Sequence, residues 1–156
     1  MKKILFFIPN LMHGGAEKVL VNLVNNLHIE KYDITLQTLF DVGVNKKYLK
    51  KNIRYKYFFR NIVKGNSLIL KLFTPKFLYK RIIKEKYDIV VSYLEGPTAR
   101  ILWGCPYKET KKVSWIHIEL NDEKLLSTGF RSFKEAKNGY ESYDKIICVS
   151  NTVKQI

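Results

Sequence analysis

The sequence predicts an α/β chain built on an open, doubly wound parallel sheet, and three observations carry that expectation. Short, almost continuously apolar runs recur at residues 3–9, 34–40, 88–94, 113–118 and 145–149, the pattern of strands covered on both faces. Helical patterns lie between most of them, and strands alternating with helices are the rhythm of parallel pairing. The length, 156 residues, suits one domain and is too short for an eight-fold barrel, which needs roughly 250.

Residues 3–9 read as a central strand. After it, Ala16, Leu20, Leu23, Val24 and Leu27 recur at three- and four-residue spacing, one stripe of a helix over residues 14–27 that Val19 widens. A turn at Lys31-Tyr32-Asp33 leads to the second strand, residues 34–40, with alternation at Ile34, Leu36 and Thr38. A short basic helix or loop over residues 45–52 precedes residues 53–59, where Ile53, Tyr55 and Tyr57 alternate with charged partners, as on a half-exposed edge strand. Gly65 and Asn66 break the chain. Thr74-Pro75 then starts a helix, with Thr as N-cap and Pro at the first helical position, and Leu78, Tyr79, Ile82 and Ile83 form its inward stripe. The strand over residues 88–94 ends at the turn Glu95-Gly96-Pro97, and residues 98–103 form a short helix. Residues 113–118 make a strand that puts Trp115 and His117 on one face, because strand side chains alternate. A helix over residues 131–142, a strand over residues 145–149 and a helix capped by Ser150 or Asn151 complete the pattern.

Composition narrows the classes. Hydrophobic residues make up 46%, with 4 Pro and 8 Gly, which excludes a disordered or collagen-like chain. Two cysteines, Cys105 and Cys148, are too few for a disulfide scaffold, no Cys or His spacing suggests a zinc site, and a reducing cytosol is the expected setting. The charged, apolar start is too short for a signal peptide and is followed by no small-residue cleavage site, so a buried strand is the better reading. No later stretch approaches the roughly 20 apolar residues of a membrane span.

The net charge is +14, and residues 46–86 hold +13 of it, with 14 Lys or Arg against the single acid Glu85. The same window carries eight aromatics and the run Leu68-Ile69-Leu70. Basic and apolar groups together point to an anionic lipid surface, where each nearby Lys or Arg contributes on the order of 1 kcal/mol. Lys71, Lys76, Lys80, Arg81 and Lys84 are the residues expected to face it. A solvated basic face is the plainer alternative. Nucleic acid would be drawn by the same charge, but no RNA-binding aromatic motif or recognition helix accompanies it, and no nucleic-acid partner is expected.

In an open parallel sheet ligands gather beyond the carboxyl ends of the strands. After the first strand comes Asn10-Leu11-Met12-His13-Gly14-Gly15-Ala16-Glu17. Two glycines at a helix start let the backbone approach a ligand, and free amides with the helix dipole favour a phosphate. Neither a Gly-x-Gly-x-x-Gly nor a P-loop pattern is present.

Taken in series, Pro-Asn-Leu-x-x-Gly-Gly-Ala-Glu-Lys-Val-Leu, Tyr-Asp-Ile-Val-Val-Ser, Trp-Ile-His and Tyr-Asp-Lys-Ile-Ile-Cys-Val-Ser resemble the family 4 glycosyltransferases. These are retaining enzymes of the GT-B fold, in which two Rossmann-like domains face each other across a cleft. The resemblance implies that residues 1–156 are the N-terminal, acceptor-side domain, that the C-terminal donor-binding domain is absent, and that this half alone is inactive. It implies that Gly14 and Gly15 meet the diphosphate of a nucleotide-sugar, that His117 faces the reacting centre, and that Glu95, with His13, contacts the acceptor. The family's Glu, seven residues, Glu donor motif has no counterpart here, since no two glutamates have that spacing. A nucleotide-sugar co-substrate, no metal or other cofactor, and an acceptor on a membrane lipid or envelope glycan are the further implications. The expected place is the cytoplasmic face of a cell membrane, peripherally bound, and the Lys-, Asn- and Ile-rich composition hints at a bacterium. Two rival readings are a docking subunit of a split transferase and a free-standing nucleotide binder or oxidoreductase using Asp41, the latter lacking its glycine fingerprint.

Overall fold

The computed structural model describes residues 1–117 and 123–149. Among them the sheet has six strands, β1 (Lys2–Ile8), β2 (Tyr32–Phe40), β3 (Arg54–Phe59), β4 (Ile89–Ser92), β5 (Lys111–Ile116) and β6 (Lys145–Cys148). They lie in the order β3-β2-β1-β4-β5-β6, every pairing parallel. The helices are α1 (Gly15–Asn26), α2 (Asn66–Leu72), α3 (Pro75–Ile82), α4 (Pro97–Trp103), α5 (Glu123–Leu126) and α6 (Phe133–Glu141), with a short 3-10 helix at Val44–Tyr48. This is the doubly wound, Rossmann-like α/β sheet that the alternation predicted.

The continuous apolar strands follow from cover on both faces. Along β1 the side chains alternate between two cores: Ile4, Phe6 and Ile8 pack with Leu20, Val21 and Val24 of α1, while Leu5 and Phe7 pack with Leu78 and Ile82 of α3 and Ile101 and Leu102 of α4. The alternation read in β2 therefore leads to no solvent face, and residues 34–40 are all buried. Its buried Gln37 is satisfied by the Ile82 carbonyl at 3.0 Å and Thr38 by the Tyr55 hydroxyl at 2.9 Å. The β3 strand is an edge, as expected. Its basic side chains are neutralised by neighbours: Arg54 pairs with Asp33 and Glu85 and Lys56 with Glu85. Lys46, in the 3-10 helix, pairs with Asp41.

Two local expectations are corrected. Val19 does not widen the α1 stripe; it is 55% exposed, and Val21 is buried in its place. A 3.6-residue turn centred on Leu20 and Val24 carries position 21 inward and position 19 out. The second correction is α2, a helix where the sequence reading placed only a chain break at Gly65. That glycine adopts a left-handed conformation, φ 73°, and is the N-cap of α2. By contrast Thr74 caps α3 as predicted, accepting the Phe77 amide at 3.2 Å, with Pro75 at the start. The helix expected after Ser150 or Asn151, like Ile118, lies outside the described residues.

Candidate active site

The strand order reverses between β1 and β4: the chain builds outward from β1 to β3, then returns to pair β4 on the other side of β1. At such a switch point the loops diverge and leave a crevice beyond the carboxyl ends. The segments after β1, β4 and β5 lie there, carrying Gly14 and Gly15, Glu95, and His117.

The first segment is bolted down before it reaches the glycines. Leu11 is fully buried; its amide donates to the Val42 carbonyl at 2.9 Å and its carbonyl accepts from the Asn45 amide at 3.1 Å. The Asn45 side-chain amide donates to the Met12 carbonyl, and Met12 N–H donates to Asn10 Oδ1 at 3.0 Å. The closest approach is at Gly43, φ 130°, where a Cβ would sit 2.0 Å from the Leu11 carbonyl oxygen. We expect Gly43→Ala to cost about 3 kcal/mol, combining backbone strain with a collision against main chain that cannot move aside; urea unfolding measures it, and a change under about 0.5 kcal/mol would be incompatible with this contact.

Held in this way, α1 begins at Gly14 as an extended N-cap, φ −68°, ψ 154°, with no side-chain capping bond. Its first-turn amides have no carbonyl a turn earlier to bind. A Cβ built on Gly15 would meet nothing within 4 Å, whereas one on Gly14 would run into the carboxylate of Glu17, which folds back over it. The site therefore has a bare amide end with an acidic side chain lying across part of it.

Glu95 follows β4 and is half-buried. Its Oε2 accepts the His117 backbone N–H at 3.1 Å, which ties the loop after β4 to the end of β5; Oε1 has no partner among the described residues. The next residue, Gly96, has φ 91° and ψ −134°, a conformation open only to glycine, and its N–H donates to the Tyr140 hydroxyl at 3.1 Å. Burial raises the Tyr140 phenol to about 12, so it remains protonated.

His117 is half-buried with its ring against Tyr93, centroids 4.8 Å apart, and near-parallel to Trp115 at 6.4 Å. The shared face of Trp115 and His117 is as predicted. Burial lowers the imidazole below its ordinary 6.5, with Glu95 and Glu17 opposing the shift, so the ring is neutral at pH 7. Its Nε2 is buried without a hydrogen-bond partner among the described residues, as are the Tyr93 hydroxyl and the Trp115 indole N–H. Burial raises Tyr93 to about 12. A cluster of unsatisfied polar atoms at a strand end is costly for folding.

The structure brings Gly14, Gly15, Glu95 and His117 to one edge of the sheet but sets His13 apart. It lines a cleft of 520 Å³ between α1 and the 3-10 helix, with Lys18, Asn25, Asn45, Lys47 and Tyr48. Glu17 is the residue the sequence reading passed over. It was visible as an acid in the first helical turn, three residues after the N-cap Gly14, but its field at His117 depends on the fold. Asp41 is already engaged, its Oδ1 held by Lys46 Nζ at 2.8 Å and the Tyr55 hydroxyl at 2.8 Å, so it is no free ribose ligand. Lys76, Lys80, Arg81 and Lys84 are exposed and Lys71 half-buried, all on α2, on α3 or just after it. No group of three His, Cys, Asp or Glu side chains converges to hold a metal among the described residues, and no described helix is long and apolar enough to cross a membrane.

No curated protein matches the chain. The family model described as Glycosyltransferase Family 4 matches residues 13–156, beginning just before the Gly14-Gly15 turn and taking in Glu95 and His117. The matched span and the parallel Rossmann-like sheet agree, and the chain belongs to glycosyltransferase family 4 as its N-terminal domain.

Proposed function

We propose that this domain forms the acceptor side of a retaining transferase that moves a sugar from a nucleotide-activated donor to an acceptor on a membrane lipid or envelope glycan. The observation that supports this best is the meeting of the bare α1 N-terminus with a neutral, unpartnered His117 at the switch point. As the bond from sugar to nucleotide breaks, negative charge grows on the departing diphosphate, and the α1 amides and dipole lie where they favour it. Glu17 swings away as the diphosphate arrives, since two anions cannot share those amides. Positive charge gathers on the sugar at the same moment. A neutral imidazole hydrogen-bonds a sugar hydroxyl without opposing that charge. Glu95 Oε1 accepts from an acceptor hydroxyl while Oε2 keeps His117 in place. Donor binding on a second, C-terminal domain completes the cleft, and half a cleft lacks the positioning that transfer requires.

The test is transfer from a panel of nucleotide-sugars to a membrane lipid extract, by residues 1–156 and by the same chain extended through the reading frame after Ile156. Activity confined to the extended protein is expected. Activity of residues 1–156 alone, or only with a separately encoded partner, overturns the two-domain reading and favours a split enzyme.

The pH dependence follows from the same histidine. Because the folded pKa lies below 6.5, the ring stays neutral until the solution is more acidic than that, and transfer falls as pH drops through the folded value. Stability runs the same way: it is whole above 6.5 and declines below it, where the unfolded chain binds a proton that the folded one resists. His117→Gln, which keeps a donor and an acceptor, should remove this acid limb from the pH–rate profile. A limb in the same position in that variant would assign it to another group.

A further inference from the structure

Helix α2 has most of its apolar surface facing outward. Leu70 is buried, but Leu68 is 70% exposed, Leu72 76% and Ile69 45%, and beside them Phe73 is 41% and Phe77 51% exposed. The two phenyl rings stack at 5.0 Å, interplanar angle 20°, so the patch is continuous from α2 onto α3. A contiguous apolar patch with a charged rim marks a surface made for contact.

The helix is also firmly held in this exposed position. The fully buried Arg100 of α4 donates from Nη1 to the Leu70 carbonyl at 3.0 Å and from Nη2 to the Phe73 carbonyl at 2.9 Å, satisfying the C-terminal end of α2. Arg131 Nε donates to the Lys71 carbonyl at 2.5 Å. Arg100 stands in the last turn of α4 and Arg131 just before α6.

The charge around it differs from that on β3. Among the described residues Lys64, Lys71, Lys76, Lys80, Arg81 and Lys84 form no ion pair, whereas Lys46, Lys56 and Lys86 each have one and Arg54 has two. On α3, Phe77, Lys80 and Arg81 fall three and four residues apart, on one outward stripe, and Lys84 is exposed just beyond the helix end. Unpaired cations flanking exposed leucines and phenylalanines are complementary to one kind of surface, a layer of anionic headgroups over hydrocarbon.

We propose that α2 and the Phe73–Phe77 stack form a wedge that enters an anionic bilayer, with the unpaired lysines and Arg81 at the level of the lipid phosphates. This deepens the proposed function by holding the domain against the bilayer that carries a lipid-borne acceptor, but the binding it describes requires no sugar transfer. The experiment is flotation of the chain with vesicles of phosphatidylcholine alone and of phosphatidylcholine mixed with phosphatidylglycerol. Binding to the mixed vesicles only is expected, weakened by salt. The variant Leu68→Ser/Leu72→Ser/Phe77→Ser should lose at least about tenfold in binding while the melting temperature falls by no more than about 3 °C, since Leu68 and Leu72 are mostly in water and Phe77 gives up only its half-exposed stack on Phe73. The variant Lys76→Glu/Lys80→Glu/Arg81→Glu/Lys84→Glu should lose binding as well. A single Leu72→Ser change, expected to weaken binding several-fold, serves if the triple variant does not fold. Undiminished vesicle binding by the serine variants overturns the proposal. So does a serine variant that turns a dimer into a monomer while vesicle binding persists, which would make the patch a contact between copies.

Discussion

Replacing His117 by Ala should lower sugar transfer by about 100-fold or more, the range seen when a single preorganised hydrogen bond to a reacting centre is removed, in any preparation of the protein that transfers sugar. The same change should leave the folded state as stable as before, or slightly more so. The reason is the orphaned Nε2: no protein partner among the described residues is stranded when the ring is removed, and an unsatisfied buried atom goes with it. Activity and stability should therefore separate, which is the mark of a group kept for what it binds. Steady-state kinetics and a thermal melt on the same sample decide the matter. A loss under about tenfold in kcat/KM would show that His117 does not face the reacting sugar, and a large fall in melting temperature would show that Tyr93 and Trp115 need its ring for packing.

Arg100→Met should destabilise the fold by about 3–5 kcal/mol, the cost of removing one partner from a buried ion pair. Arg100 is 1% exposed and grips Glu135 with two bonds, Nε to Oε2 at 3.2 Å and Nη2 to Oε1 at 3.1 Å, besides the two carbonyls at the end of α2. Methionine fills the volume but leaves Glu135 and both carbonyls without those donors. For a chain of this size the melting temperature should fall by about 10 °C. Hydrogen exchange should quicken first in α2, which loses its anchor. Arg100→Met combined with Glu135→Leu should recover part of the loss, because the stranded carboxylate goes as well. Burial acts to raise Glu135, but the Arg100 hydrogen bond and the Arg131 backbone outweigh it and hold the carboxyl below its ordinary 4.5. The stabilisation is therefore complete above pH 4.5 and is lost as pH falls through the lower folded value. A melting temperature within about 2 °C of wild type would mean that α2 is held chiefly by Leu70.

What could be read from the residues varied with the range of the interaction that decides each feature. Strands β1, β2 and β4 were legible because two-sided burial leaves a continuous apolar run, β5 and β6 by the same apolar pattern although β6 is an exposed edge and not the doubly covered strand expected, and α3 because Thr74 and Pro75 act within one turn. Gly14-Gly15 and His117 were legible through their places after strands. Helix α2 was missed because its pattern, Asn66 to Leu72, lacks a polar face and its N-cap is a glycine in a left-handed turn. Val19 was misplaced because the stripe was widened on the wrong side; centred on Leu20 and Val24, it takes in Val21 instead. Glu17, Gly43, Asn45 and Tyr93 owe their roles at the site to contacts with segments distant in the chain.

The sequence by itself determined the layer architecture, the strands of the sheet, the family and the residues that follow each strand, because these rest on local pattern and short-range turns. Only the tertiary structure decided which of the many lysines are neutralised and which stand free. It alone showed that α2 turns Leu68 and Leu72 outward under the grip of a buried arginine, and that His117 is neutral with a nitrogen unpartnered among the described residues. Charge pairing, burial and the field at a titrating group are sums over neighbours brought together from distant positions, and no periodicity along the chain records those distances.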